Sequence, residues 1–226
     1  MAFDAVRRKE WIWALLIFFI PFFAVWYYFM VYRDAPSATR GFELPGAYDR
    51  KRIKQLEAQI HHLDHAHHYS QLADLYFHQG KLDKAEACYR AALERDPKDI
   101  DTRGHYGQCL LRLQRPAEAK PLLEGVVAEN SKHDYGYSLM ALAETQGALG
   151  QTESAIALWE QVTNNHSYPR ARVQLAELYL AKGESERARQ VLQEVLDDDP
   201  HTPAFQRRRD RVWVKRARKL SRRLKG

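Results

Sequence analysis

The chain has 226 residues, 45% of them hydrophobic and 28% charged, with a formal net charge of +6. This is ordinary for a folded protein of one or two domains. Only Cys88 and Cys109 are present, in neither C-x-x-C nor zinc-like spacing, so they read as two buried thiols acting as small hydrophobes, and no disulfide is required. The charge is unevenly placed: residues 66 to 203 carry more Asp and Glu than Lys and Arg, whereas 204 to 226 carry eleven basic residues against one acid.

In chain order, residues 1–10 form a charged lead. Trp11 to Tyr32 then runs without a charge, long enough for a helix rising 1.5 Å per residue to cross a hydrocarbon core of about 30 Å. Trp11, Trp13, Trp26, Tyr27, Tyr28 and Tyr32 cluster at its ends, where amphipathic rings settle among headgroups, and Pro21 is expected to kink the span. A cleaved signal peptide would end in small residues, but Val31, Tyr32, Arg33 and Asp34 close this stretch. A single-pass membrane helix over 11–32 is therefore expected. The Trp-Ile-Trp opening, Pro-Phe-Phe centre and aromatic close resemble the short membrane segment preceding the catalytic domains of some phospholipase D-like and cardiolipin synthase enzymes. No His-x-Lys motif is present after it, so their activity is not implied. Arg7, Arg8 and Lys9 precede the span and Arg33, Arg40, Arg50, Lys51 and Arg52 come after it, a bias that faces the rest of the chain to the cytoplasm.

Residues 33–47, with Pro and Gly among small polar residues, read as a linker. Over 48–65, Ile53, Leu56, Ile60 and Leu63 recur at helical steps and predict a lead-in helix packed on the segment that begins at Ala66, with a short coiled coil as the alternative. His61, His62, His65, His67 and His68 are the one concentration of metal-ligand types. Three of them would share a face only if the helix ran on, and Asp64 stands where it could cap a new helix instead. No metal site and no cofactor is expected.

From Ala66 one pattern of residue types occurs four times in succession. Leu72, Leu75 and Tyr76, then Ala85, Cys88, Tyr89 and Ala92, fall at three- and four-residue steps, with Gly80 between the two runs and Pro97 after them. One such hairpin cannot bury its apolar face alone, so neighbours must stack on it. Tyr69, Leu72, Ala73, Tyr76, Gly80, Ala85, Tyr89, Ala92 and Pro97 resemble the tetratricopeptide repeat (TPR) family. The copies are placed at 66–99, 100–133, 136–168 and 169–202 by Ala85, Ala119, Ala155 and Ala188. The second copy is degenerate, with Gln114 and Ser131 where Gly and Pro are usual, and Asp134 and Tyr135 are extra residues before the third. The predicted fold is an all-α solenoid over 66–203.

After Pro203, Phe205, Val212, Trp213, Ala217, Leu220 and Leu224 form one helical stripe, expected to cap the last repeat. The surrounding Arg207, Arg208, Arg211, Lys215, Arg218, Lys219, Arg222 and Arg223 are candidate contacts for anionic lipid headgroups, with nucleic acid the weaker partner. There is no Walker-type loop, G-x-S-x-G elbow, H-E-x-x-H or Rossmann fingerprint, so an enzyme is not expected.

The TPR resemblance implies a groove lined by set positions along each first helix. These are His67, Ser70, Asp74, Phe77 and His78; Asp101, Gly104, Gln108, Leu111 and Arg112; Tyr137, Met140, Glu144, Gly147 and Ala148; and Arg170, Val173, Glu177, Leu180 and Ala181. Relatives that clamp a chaperone's terminal carboxylate use Lys and Asn where Ser70, Asp74, Gly104 and Gln108 stand here, so that clamp is not implied. The expectation is a membrane-anchored bacterial scaffold holding a peptide or partner helix from another protein, in envelope or membrane-complex assembly. Secretion or periplasmic folding, and an accessory role in phospholipid synthesis, are the alternatives.

Overall fold

The computed structural model describes residues 47–224; the lead, the apolar stretch 11–32 and the linker up to residue 46 lie outside them. Contacts divide the chain after Arg50, so all but the first turn of the first helix belongs to the unit that holds the repeats. The described residues form ten α-helices and no strand: α1 (Ala47–Leu63), α2 (Ala66–His78), α3 (Leu82–Arg95), α4 (Ile100–Arg112), α5 (Pro116–Glu129), α6 (Tyr137–Ala148), α7 (Thr152–Asn165), α8 (Pro169–Ala181), α9 (Ser185–Asp198) and α10 (Ala204–Arg223). Among the described residues no helix is long and apolar enough to cross a membrane.

Helices pair as hairpins, α2 with α3, α4 with α5, α6 with α7 and α8 with α9, and each hairpin packs on the next in sequence order. The packing repeats because the residue types repeat. Ala85, Ala119, Ala155 and Ala188 have no exposed surface, which lets paired helices approach closely, and Tyr89, Leu123, Trp159 and Leu192 fill the space beside them. Each such large side chain contributes roughly 1.5–3 kcal/mol by leaving water. In the second repeat the small residue of the inner helix is Gly107, where a Cβ would stand 2.6 Å from Leu123 Cγ.

The inner helices all close in the same way. Lys81, Arg115, Gln151 and Glu184 donate their backbone N–H to the carbonyls of Tyr76, Leu110, Gln146 and Tyr179, at 2.8–3.0 Å. This closure needs a left-handed residue just before the donor. Gly80, Gly150 and Gly183 supply it at φ +72°, +74° and +81°, and Gln114 adopts φ +60° in the degenerate repeat. The extra residues before α6 form a 3-10 turn, His133–Gly136, in which Asp134, Tyr135 and Gly136 are left-handed in succession.

Ile53, Leu56 and Ile60 of α1 pack with Leu72 and Tyr76 of α2. Asp64 breaks the helix at φ +44°, but His65, not Asp64, is the N-cap residue of α2. The Asp64 carboxylate instead accepts bonds from Tyr69 Oη at 2.8 Å and from Arg95 Nη2 at 2.6 Å. At the other end α10 lies against α8 and α9. Its buried residues are Val214, Ala217 and Ser221, with Trp213, Leu220 and Leu224 half-buried beside them. Phe205 and Val212, expected in that stripe, are each 70% exposed. The helix turns them away because its inward arc is centred on Val214 and Ala217.

Candidate functional site

A cleft of about 380 Å³ runs across the inner helices. Phe77 comes from α2; Gln108, Leu111 and Arg112 from α4; Tyr137, Met140, Ala141 and Glu144 from α6; and Arg170 from α8. These side chains share a side because successive hairpins repeat the same rotation, so equivalent helix positions line up. The walls are half apolar. The Arg112 guanidinium lies over the Phe77 ring at 4.6 Å from its centroid, a stacking that arginine favours. Arg170 pairs with Glu144. Burial raises the Glu144 carboxyl above its ordinary range, and the Arg170 charge opposes the rise. Two donors in the cleft are buried without a partner, Gln108 Nε2 and Arg170 Nε. A buried donor left unpaired costs on the order of 1–3 kcal/mol.

Of the groove residues expected from sequence, the cleft gathers Phe77, Gln108, Leu111, Arg112, Tyr137, Met140, Glu144 and Arg170. Others are engaged elsewhere. Ser70 is buried between α2 and α4, its Oγ 2.9 Å from Thr102 Oγ1. Asp74 accepts from Tyr89 Oη at 2.6 Å and pairs with His105 Nδ1 at 2.9 Å. His67 is exposed and bonded to Gln71, and His78 is exposed with its ring edge-on to Phe77. Gly104 is buried against the His133 ring, where a Cβ would come within 2.8 Å of Cε1. Glu177 binds Arg216 of α10 at 2.5 Å.

Asp101 takes part in an arrangement that helix spacing alone did not reveal. His133, 5% exposed, meets Asp101 through Nε2 at 2.8 Å and Ser138 Oγ through Nδ1 at 2.7 Å. Ser, His and Asp are the members of an acyl-transfer triad. Here Ser138 has no exposed surface, so no substrate reaches the hydroxyl. The three residues instead tie the turn before α6 to α4.

A second hollow joins the cleft through Tyr137, Met140 and Arg170, and adds Tyr168, Arg209 and Trp213. The Tyr168 ring stands 5.7 Å from Tyr137 and stacks on His166 at 5.2 Å, and its hydroxyl donates to the Tyr135 carbonyl at 3.1 Å. Sequence reasoning missed Tyr168 and Trp213, since neither occupies a groove position. The extra Asp134 and Tyr135 were the signal that this junction differs.

In α10, Arg207, Arg208, Arg211, Lys215, Lys219, Arg222 and Arg223 are exposed. Arg218 is also exposed but pairs with Asp199 at 2.7 Å. Both cysteines are free, and burial pushes the Cys109 thiol up to about 11. Among the described residues, no three His, Cys, Asp or Glu side chains converge to hold a metal ion.

Stacked helix hairpins with a partly apolar cleft across their inner helices define an interaction scaffold built of repeats. The chain belongs to the tetratricopeptide repeat family, whose profile matches residues 76–143 and 147–209, more than half the sequence. Proteins of this family serve as protein-interaction scaffolds. Over 139 residues it is 31% identical to cellulose synthase operon protein C of Pseudomonas fluorescens (strain SBW25), covering 58% of this chain and 11% of that protein. The chain thus spans about a tenth of that relative's length. Among the solved structures that share the fold are two to which the chain is similar. MamA, residues 41 to the end, from Desulfovibrio magneticus RS-1 gives a TM-score of 0.65 at 16% identity, over 71% of this chain and 90% of that one. YrrB, described as a TPR protein with an unusual peptide-binding site, gives 0.62 at 18%, over 76% and 84%.

Proposed function

We propose that the chain is a membrane-anchored scaffold whose cleft holds an extended segment of a partner protein. The observation that carries this reading is the half-apolar cleft itself, in which Phe77, Leu111 and Met140 stand beside the guanidinium groups of Arg112 and Arg170. Backbone carbonyls of an extended segment would accept from Arg112 and Arg170 while its side chains cover the apolar wall. The anchor is the apolar stretch Trp11–Tyr32, with the repeats toward the cytoplasm. Tethering raises the effective concentration of the held partner beside membrane machinery. A role in a bacterial envelope complex agrees with the likeness to a protein named for a cellulose synthase operon.

Site-specific photocrosslinking in cells tests the cleft. A benzophenone amino acid at Tyr137 or Arg112 is expected to give a discrete adduct, lost when Arg170→Ala and Gln108→Ala are added. The same group at Glu118, exposed on α5, is expected to give none. Equal labelling from both faces would sink the proposal. For the anchor, the chain should stay with membranes through an alkaline carbonate wash, and a reporter fused after Gly226 should be active only in the cytoplasm.

A further inference from the structure

Helix α10 has two jobs written on two arcs. The inward arc is occupied: Val214, Ala217 and Ser221 are buried, and Arg216 and Arg218 reach back to Glu177 and Asp199. Arg209 pairs with Asp210 of its own helix. The outward arc is different. Arg208, Arg211, Lys215, Lys219 and Arg222 succeed one another at three- and four-residue spacings, which puts them on one side of the helix. All are exposed, and none has a carboxylate partner among the described residues. Arg207, Arg208, Arg211, Lys215 and Arg218 also line a hollow of about 390 Å³ whose only acid is Asp199, already paired with Arg218.

Like charges at these spacings repel and weaken a helix. An anionic surface against the arc would turn that repulsion into attraction. Two further residues say what kind of surface. Phe205 and Val212 lie on the flank of the basic arc, each 70% exposed. Aliphatic and aromatic side chains beside cations gain by entering the headgroup boundary of a bilayer, whereas a phosphate backbone gives Val212 nothing to pack on.

We infer that the outward arc of α10 docks on anionic phospholipid, the cations over lipid phosphates and Phe205 and Val212 in the acyl boundary. This rests on the reading of the chain as membrane-anchored. It makes α10 both the cap of the solenoid and a second, composition-sensitive contact with the bilayer.

The test uses the full-length chain reconstituted into vesicles of phosphatidylcholine alone or with phosphatidylglycerol at about three to one. An environment-sensitive NBD fluorophore is attached at Phe205→Cys in a Cys88→Ser background, with Glu118→Cys as the control site. The expected result is a blue shift and an emission at least about threefold stronger in the anionic vesicles, at position 205 only. It should disappear in the triple variant Arg208→Glu, Lys215→Glu, Lys219→Glu and fade at about 0.5 M salt, where screening is strong. Identical spectra in the two lipid mixtures would overturn the inference while leaving the anchor intact. A chain that fails to enter vesicles of either kind would instead defeat the anchoring. A shift produced in neutral vesicles by added single-stranded RNA would assign the arc to nucleic acid and likewise overturn the lipid reading.

Discussion

Gln114 stands where the other three repeats have glycine, and it holds the same left-handed turn at φ +60°. A residue with a Cβ is strained there by about 1 kcal/mol. Gln114→Gly is therefore expected to stabilise the protein by about that much, read from the urea midpoint. His105 makes a second prediction. Its bond to the Asp74 carboxylate raises the ring's pKa above the ordinary 6.5 against the pull of burial, with Asp134 and Asp101 adding to the rise. A raised folded value means the stabilisation is full below the unfolded pKa and is lost as pH rises through the folded one. His105→Gln should thus cost more at about pH 6 than at about pH 9, where the charge-linked part of the difference is gone, read from urea unfolding at the two pH values. At this scale the sequence was half legible. Ala85, Leu123 and Tyr89 are placed by spacing alone, because burial tracks the helical period. Ser70 and Asp74 were not, because their partners Thr102 and Tyr89 sit on other helices and only packing brings them together.

The second hairpin is the weakest by composition, and the helix that shows it is α5. Pro121 lies inside that helix and is exposed. Its ring removes one ladder hydrogen bond, to the carbonyl four residues back, and crowds it. Pro121→Ala should restore the bond and raise stability by up to about 3 kcal/mol, measured by thermal unfolding monitored by circular dichroism. The hairpins themselves were readable from the anchor alanines and the turn glycines, since small residues and left-handed turns recur at fixed offsets. The turn His133–Gly136 was not readable beyond its length. Three left-handed residues in succession obey no helical period, and the His133 bonds to Asp101 and Ser138 that hold it join the turn to two different helices.

In the repeat unit as a whole, the apolar interior is not one continuous core. The largest cluster joins α6 to α10, a second joins α1 to α4, and a smaller one lies between, in α4 to α6. In a stack whose members touch only their neighbours, stability varies along its length. Backbone amides of α7, α8 and α9, which have packed helices on both sides, should exchange with solvent most slowly, and those of α1 and α2 should open first. Hydrogen exchange read by mass spectrometry checks this order, and uniform protection would contradict it. The cleft crosses all three regions: Phe77 packs on the second cluster, Leu111 on the smallest, and Met140 belongs to the largest. Whatever lies along it would act as a splint, so that halves which otherwise come apart in turn would melt at one temperature. An occupied cleft would then reveal itself as sharper cooperativity before any occupant had been identified.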